Sequence, residues 1–220
     1  MTTAHPVHVL VRVWLPDRPG GLGQVASRIG SVRGDIVGVE VLERDGGVAI
    51  DEFAVNLPDA DLLVMLAREI EQVDGASVEE MRVVKSFPDP RIDALESASR
   101  LCSVRQVPDL WEALVNQVSE EFTAHWTALI SNRTVLASVG TDIPAVDKLA
   151  VLALGIASSP VVADGMGGPD DLAVAILSTH GATLLVGRDG HPFRKRERAQ
   201  LLMLAKIADQ TWTLVTAEQP

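Results

Sequence analysis

Asp17-Arg18-Pro19-Gly20-Gly21-Leu22-Gly23 is the stretch that decides how this chain is read. Just before it, Val7 to Leu15 alternates and is rich in β-branched residues, which predicts a strand. Just after it, Leu22, Val25, Ala26 and Ile29 recur at helical spacing. Strand, proline-glycine turn and helix therefore follow one another directly. Glycines let a backbone approach a bound group closely, and the N–H groups opening a helix have no partner within it. That combination suits a small ligand carrying a carboxylate or another anion. It gives no sign of covalent chemistry.

Outward from this stretch, Gly34 reads as a helix C-cap, and Asp35 to Arg44 as a second strand carrying Ile36, Val37, Val39, Val41 and Leu42. Asp45-Gly46-Gly47 is a hairpin signal leading into a third strand, Val48 to Leu57. Pro58 and Asp59 are expected to open a second helix, with Leu62, Leu63, Leu66, Ala67 and Ile70 on its buried face. Asp74-Gly75 ends it, and Ser77 to Lys85 reads as a fourth strand. The predicted order is β-α-β-β-α-β.

This order, the Asp17–Gly23 loop after strand one, and Gly34-Asp35-Ile36-Val37-Gly38-Val39 entering strand two resemble the ACT domain over residues 6–85. ACT domains are small regulatory modules that bind amino acids and often control metabolic enzymes. The resemblance implies a ferredoxin-like fold, pairing of two copies, and a ligand at the pair interface. It implies that Asp17 meets the ligand's amino group and that the Gly20, Gly21, Leu22 and Gly23 backbone meets its carboxylate, with Arg18 and Pro19 completing the loop. Asp35, Ile36 and Val37 of the second copy would close the pocket. Leu15 stands where some serine-binding members carry a histidine, so no serine specificity is carried over.

A rival pattern overlaps the same residues. Gly21-Leu22-Gly23-Gln24-Val25-Ala26 fits the dinucleotide fingerprint, with Glu40 and Glu43 near where a ribose-binding carboxylate would lie. Pro16 to Gly20 separates the glycines from the strand, however, and a hairpin replaces the repeating βαβ pattern. No nicotinamide, flavin or other cofactor is expected.

Ser86-Phe87-Pro88-Asp89-Pro90 breaks every periodicity and reads as a stiff linker. Beyond it the sequence predicts helices over Ile92 to Cys102 and Asp109 to Phe122, then a strand pair, Trp126 to Ser131 and Thr134 to Val139. A helix over Ile143 to Ile156, a short strand Val161 to Ala163 and a flexible loop Met166 to Pro169 follow. A second strand pair, Leu172 to Leu177 and Ala182 to Val186, and a long helix, His191 to Val215, close the chain. Residues 105–215 resemble a GAF-type sensory domain through Pro160–Asp164, Asp171–Leu177, Thr183–Gly187 and Pro192-Phe193. GAF domains are regulatory, binding cyclic nucleotides or other small molecules or pairing subunits, but no cyclic-nucleotide motif is recognisable here. The expected division is an ACT-like domain over 1–86, a linker and connecting helix over 87–104, and a GAF-like domain over 105–220. The fold class is α+β: a ferredoxin-like domain followed by an α/β/α domain with an antiparallel sheet.

Composition narrows the functional classes. The chain of 220 residues is 47% apolar with net charge −11, and both halves are acidic when split at Lys85. Neither half offers a general footprint for nucleic acid or an anionic membrane. One cysteine, Cys102, excludes an internal disulfide and is expected to be buried or at an interface. No signal-like start and no run of membrane-spanning length are evident, which predicts a cytoplasmic protein.

No histidine pair has metal-ligand spacing; His5 and His8 read as a frayed start. Ser178-Thr179-His180 sits in a predicted hairpin with no nucleophile elbow, and Asp170-Asp171 reads as a strand start. Arg194-Lys195-Arg196-Glu197-Arg198 reads as a solvated helix face. Trp111, Trp126 and Trp212 read as core packing, and the helices Asp109–Phe122 and Arg194–Val215 as flanking one face of the sheet. The sequence therefore predicts a non-enzymatic regulator: an amino-acid-binding homodimer with a metabolic enzyme as a possible partner. The alternatives are a ligand-free pairing or adaptor protein and, further off, an enzyme with an unrecognised site.

Overall fold

The computed structural model describes residues 6–157 and 171–217. The predicted strand Val161 to Ala163, the Met166–Pro169 loop, His5 and Asp170 lie outside the described residues. The chain divides into two compact units, Met1–Pro88 and Asp89–Pro220.

In the first unit, β1 (Val7–Pro16), α1 (Gly21–Ser31), β2 (Asp35–Asp45), β3 (Val48–Leu57), α2 (Leu63–Ile70) and β4 (Ser77–Val84) follow in order. The sheet has strand order β2-β3-β1-β4, and β1 pairs antiparallel with both β3 and β4. Period-2 alternation sends Val9, Val11, Val13 and Leu15 of β1 and Ala49, Phe53, Val55 and Leu57 of β3 to one face, under Val25 and Ile29 of α1 and Leu66 and Ile70 of α2. The opposite face carries charge: Arg12 pairs with Glu52 at 3.1 Å, and Trp14 Nε1 donates to Glu79 at 3.1 Å. The antiparallel pairing also removes the parallel βαβ unit that a dinucleotide fingerprint requires.

Element starts differ from the sequence expectation at the closing helix, which begins at Lys195 rather than His191, and at the second helix. Asp59 caps a single 3-10 turn, Ala60–Leu62, by accepting from the Asp61 N–H, so α2 begins only at Leu63.

In the second unit, α3 (Pro90–Cys102) and α4 (Val107–Glu121) precede β5 (Trp126–Ser131), β6 (Thr134–Gly140), α5 (Val146–Ala157), β7 (Leu172–Leu177), β8 (Ala182–Gly187) and α6 (Lys195–Ala217). Asp89 caps α3, accepting from the Arg91 and Ile92 N–H groups with Pro90 in the first turn. The antiparallel sheet has order β6-β5-β8-β7. Alternation again sorts its faces. Leu129, Ala173, Ala175, Leu184 and Val186 pack under Leu101, Leu114, Val118, Leu201, Leu204 and Ala208 of α3, α4 and α6. Ala128, Ile130, Val174 and Leu185 pack on the other side with Leu149 of α5. The sheet thus lies between two helix layers.

Two side-chain expectations are corrected. Arg194 and Arg198 are buried rather than solvated: Arg198 donates to the Leu172 carbonyl and lies over the Phe193 ring, while Glu197 accepts the Arg194 N–H as an N-terminal cap. Cys102 is exposed rather than buried within the chain, because on α3 the neighbouring Leu101 takes the core position.

Candidate functional site

The β1–α1 loop is held by its own backbone. The Asp17 N–H donates to the Gly47 carbonyl at 2.9 Å, fastening the loop to the β2–β3 hairpin. The Arg18 N–H donates to Pro16 O, and the Gly21 N–H to Arg18 O, closing the turn around Pro19. Gly20 sits at φ 87°, a left-handed conformation that glycine adopts without steric cost. At Gly21 a Cβ would stand 2.9 Å from the Pro16 carbonyl oxygen, so the helix can start this close to the strand only with glycine.

No side chain caps α1. The Gln24 N–H reaches Gly20 O, but the Leu22 and Gly23 N–H groups make no hydrogen bond among the described residues. Two donors at a helix N-terminus therefore face outward beside an exposed Leu22, a setting favourable to an anionic group. Asp17 supplies the opposite charge, its carboxylate 3.9 Å from Arg44 Nε.

Beneath the loop, the strand register builds a second feature that the sequence reading missed. Ala49 of β3 lies opposite Leu15 on one side and Arg44 on the other. One step along the same face, Asp51 lies between Val13 and Val41. Asp51 is 1% exposed, and its Oδ1 has no hydrogen-bond partner. Burial raises its pKa, Arg44 opposes the rise, and Asp17 adds to it. The available signal was an aspartate in the core-facing phase of an otherwise apolar strand, Ala49, Phe53, Val55 and Leu57 being its companions.

Asp17, Arg18, Pro19, Gly20, Gly21, Leu22 and Gly23 thus form one cluster with Arg44 and Asp51. Asp35, Ile36 and Val37 do not join it within one chain. Ile36 pairs with Val55, which lies opposite Val9, six residues of β1 away from Leu15 at the loop end. At about 3.4 Å per residue this is roughly 20 Å. Val37, Val39 and Val41 are all exposed along the edge strand β2.

The second unit has a cleft of about 470 Å³ at one end of its sheet, walled by Trp126 and Leu152 and rimmed by Asp142, Lys148 and Asp171. Arg188 also borders it, but its guanidinium is engaged by Glu197 and by the carbonyls of Phe122, His191 and Pro192. Elsewhere in this unit, His180 Nδ1 lies 2.8 Å from Asp209 Oδ1 and its ring stacks on Trp212 at 4.2 Å. Trp212 in turn meets Trp111 edge-on at 5.1 Å. Thr179, beside His180, also meets Asp209, its N–H donating to Oδ2 at 3.0 Å. Among the described residues no three His, Cys, Asp or Glu side chains gather as a metal ion would need, and no helix is long and apolar enough to cross a membrane.

No family model matches the sequence, and no curated protein matches it. Solved structures similar to this chain include the ACT domain of GTP pyrophosphokinase from Chlorobium tepidum, at 15% identity, covering 38% of this chain and 92% of that domain, with TM-score 0.30. The GAF domain of an Acinetobacter phosphoenolpyruvate-protein phosphotransferase is 15% identical, covering 61% of this chain and 99% of that one, with TM-score 0.45. A candidate glycine cleavage system transcriptional repressor is 11% identical, covering 96% of this chain and 92% of that one, with TM-score 0.35. The element order and strand order carry the fold assignment: the first unit is ferredoxin-like and ACT-like, and the second is a GAF-like α/β/α unit built on an antiparallel sheet.

Proposed function

We propose that this chain is a cytoplasmic regulatory protein that binds a free amino acid at the β1–α1 loop. The observation that carries this reading is the opposition of charges around one turn. The Leu22 and Gly23 N–H groups are open to a carboxylate, and Asp17 stands beside them to receive an ammonium. A zwitterion meets both. The ligand lies between two copies of the chain, with Asp35, Ile36 and Val37 of the partner subunit closing the pocket. Binding favours one arrangement of the pair through contacts that only that arrangement makes, and so regulates a metabolic enzyme.

The test is calorimetry of the purified protein with each of the twenty amino acids at millimolar concentration. Binding by at least one, weakened tenfold or more in Asp17→Ala, supports the site. Flat titrations with all twenty contradict it.

One observation favours a second reading, a pairing or adaptor protein without a ligand. Val37, Val39 and Val41 leave an apolar stripe on an unpaired strand edge, which suits pairing by itself. That reading predicts a tight dimer by analytical ultracentrifugation whose association no amino acid alters.

A further inference from the structure

Asp51 is an anomaly in the core of the first unit. A buried carboxylate normally has its oxygens filled by donors, because an unsatisfied one is costly. Here Oδ1 has none, although the side chain is 1% exposed. The companion residues on its face explain why no partner comes from within the core: Val13 and Val41 flank it in register, and Ala49 and Phe53 precede and follow it.

Arg44 is the cation within reach. It lies opposite Ala49, so Asp51 is its diagonal neighbour on the same face of the sheet. Such neighbours are about 7–8 Å apart at the backbone, which a long side chain spans. The charges of Arg44 and Asp17 both act on Asp51. Yet Arg44 is not committed to either carboxylate. Its side chain is 58% exposed, and its Nε stands 3.9 Å from Asp17 Oδ1, beyond hydrogen-bond distance. A cation held this loosely contributes at most about 1 kcal/mol.

We infer that Arg44 is a built-in competitor: it occupies the cation position between Asp17 and Asp51, and the ligand's ammonium displaces it. This rests on the amino-acid reading of the loop. Asp51 is then a specificity-determining residue rather than a packing defect. It is the second carboxylate that makes the position demand a cation, and Arg44 fills that demand until a ligand arrives. An alternative role for the same arginine, clasping the ligand's carboxylate, predicts the opposite sign and so is separable by experiment.

The experiment is calorimetry with the same twenty amino acids on wild type, Arg44→Gln and Asp51→Asn, with circular dichroism confirming that each variant folds. Removing a competitor worth up to about 1 kcal/mol tightens binding by up to about fivefold in Arg44→Gln. Asp51→Asn, which keeps the volume and removes the charge, weakens binding, and the N-acetylated form of any bound amino acid, lacking the cation, does not bind. Unchanged or weaker binding by Arg44→Gln overturns the inference. If an amino acid binds and Asp17→Ala abolishes it while Arg44→Gln changes nothing, the loop reading stands and only the competitor role falls. If no amino acid binds wild type or Arg44→Gln, both fall together.

Discussion

Among the described residues each unit buries one aspartate, and the two are treated in opposite ways. Asp209 on α6 has both oxygens engaged: Oδ1 meets His180 at 2.8 Å and Oδ2 accepts the Thr179 N–H at 3.0 Å. Burial by itself would raise its pKa, but the hydrogen bonds from His180 and Thr179 and the charge of His180 outweigh it, and the pKa is lowered. Asp51 on β3 has a bare Oδ1, and burial wins, so its pKa is raised. The satisfied carboxylate ties the β7–β8 hairpin to a helix and is explained by structure. The unsatisfied one lies under a loop with open N–H groups, and structure alone gives it no role.

The comparison can be broken by mutation. The largest effect is expected at Asp209→Ala, which strips two acceptors from Thr179 and His180 and should cost the second unit about 2–3 kcal/mol. Urea unfolding followed by tryptophan fluorescence reads this directly, because Trp212 stacks on His180. A loss below about 0.5 kcal/mol would mean the pair does not latch the hairpin. Next comes Gly21→Ala, whose Cβ meets the Pro16 carbonyl oxygen at 2.9 Å. We expect about 1–3 kcal/mol from the overpacking and a displaced α1 N-terminus. Asp51→Asn should move stability the other way, raising it by up to about 1 kcal/mol at pH 7, since it removes a buried charge without a full set of partners. A clear loss of stability in that variant would show that Asp51 is structural after all.

The smallest effect, and the one that contrasts the two aspartates most cleanly, is their pH dependence. The native state binds a proton on Asp51 more tightly than the unfolded chain does. Its contribution is therefore fully present below about pH 4 and is lost as pH rises through its raised value. Asp209 releases its proton more readily when folded. Its contribution is present above about pH 4 and is lost as pH falls through its lowered value. Unfolding midpoints across this range should flatten at the less acid end in Asp51→Asn and at the more acid end in Asp209→Asn. The same slope in both variants would contradict the opposite environments.

These contrasts also mark what the sequence made legible. The alternation of β1 and β3 and the turn at Asp17–Gly23 were enough to read the first unit's element order, because local spacing sets each face of the sheet. The loop itself was legible for the same reason. Arg44 and Asp51 were not, since only the β2–β3 register, with its irregularity between Val41 and Glu43, makes them diagonal neighbours. The His180–Asp209 pair spans 29 residues and exists only because α6 folds back on a hairpin. Arg194 and Arg198 looked solvated because charge runs on helices usually are; here the Leu172 carbonyl and the Phe193 ring take up Arg198. Tertiary partners decided these cases, and local pattern holds no record of them.

The most direct measurement is a thermal-shift screen of wild type and Asp17→Ala against the twenty amino acids. An amino acid at a hundred times its dissociation constant should add about 2.7 kcal/mol and raise the unfolding midpoint. The account predicts a rise with at least one amino acid in the wild type and its loss in Asp17→Ala. No rise with any of the twenty, or an equal rise in both proteins, would contradict it.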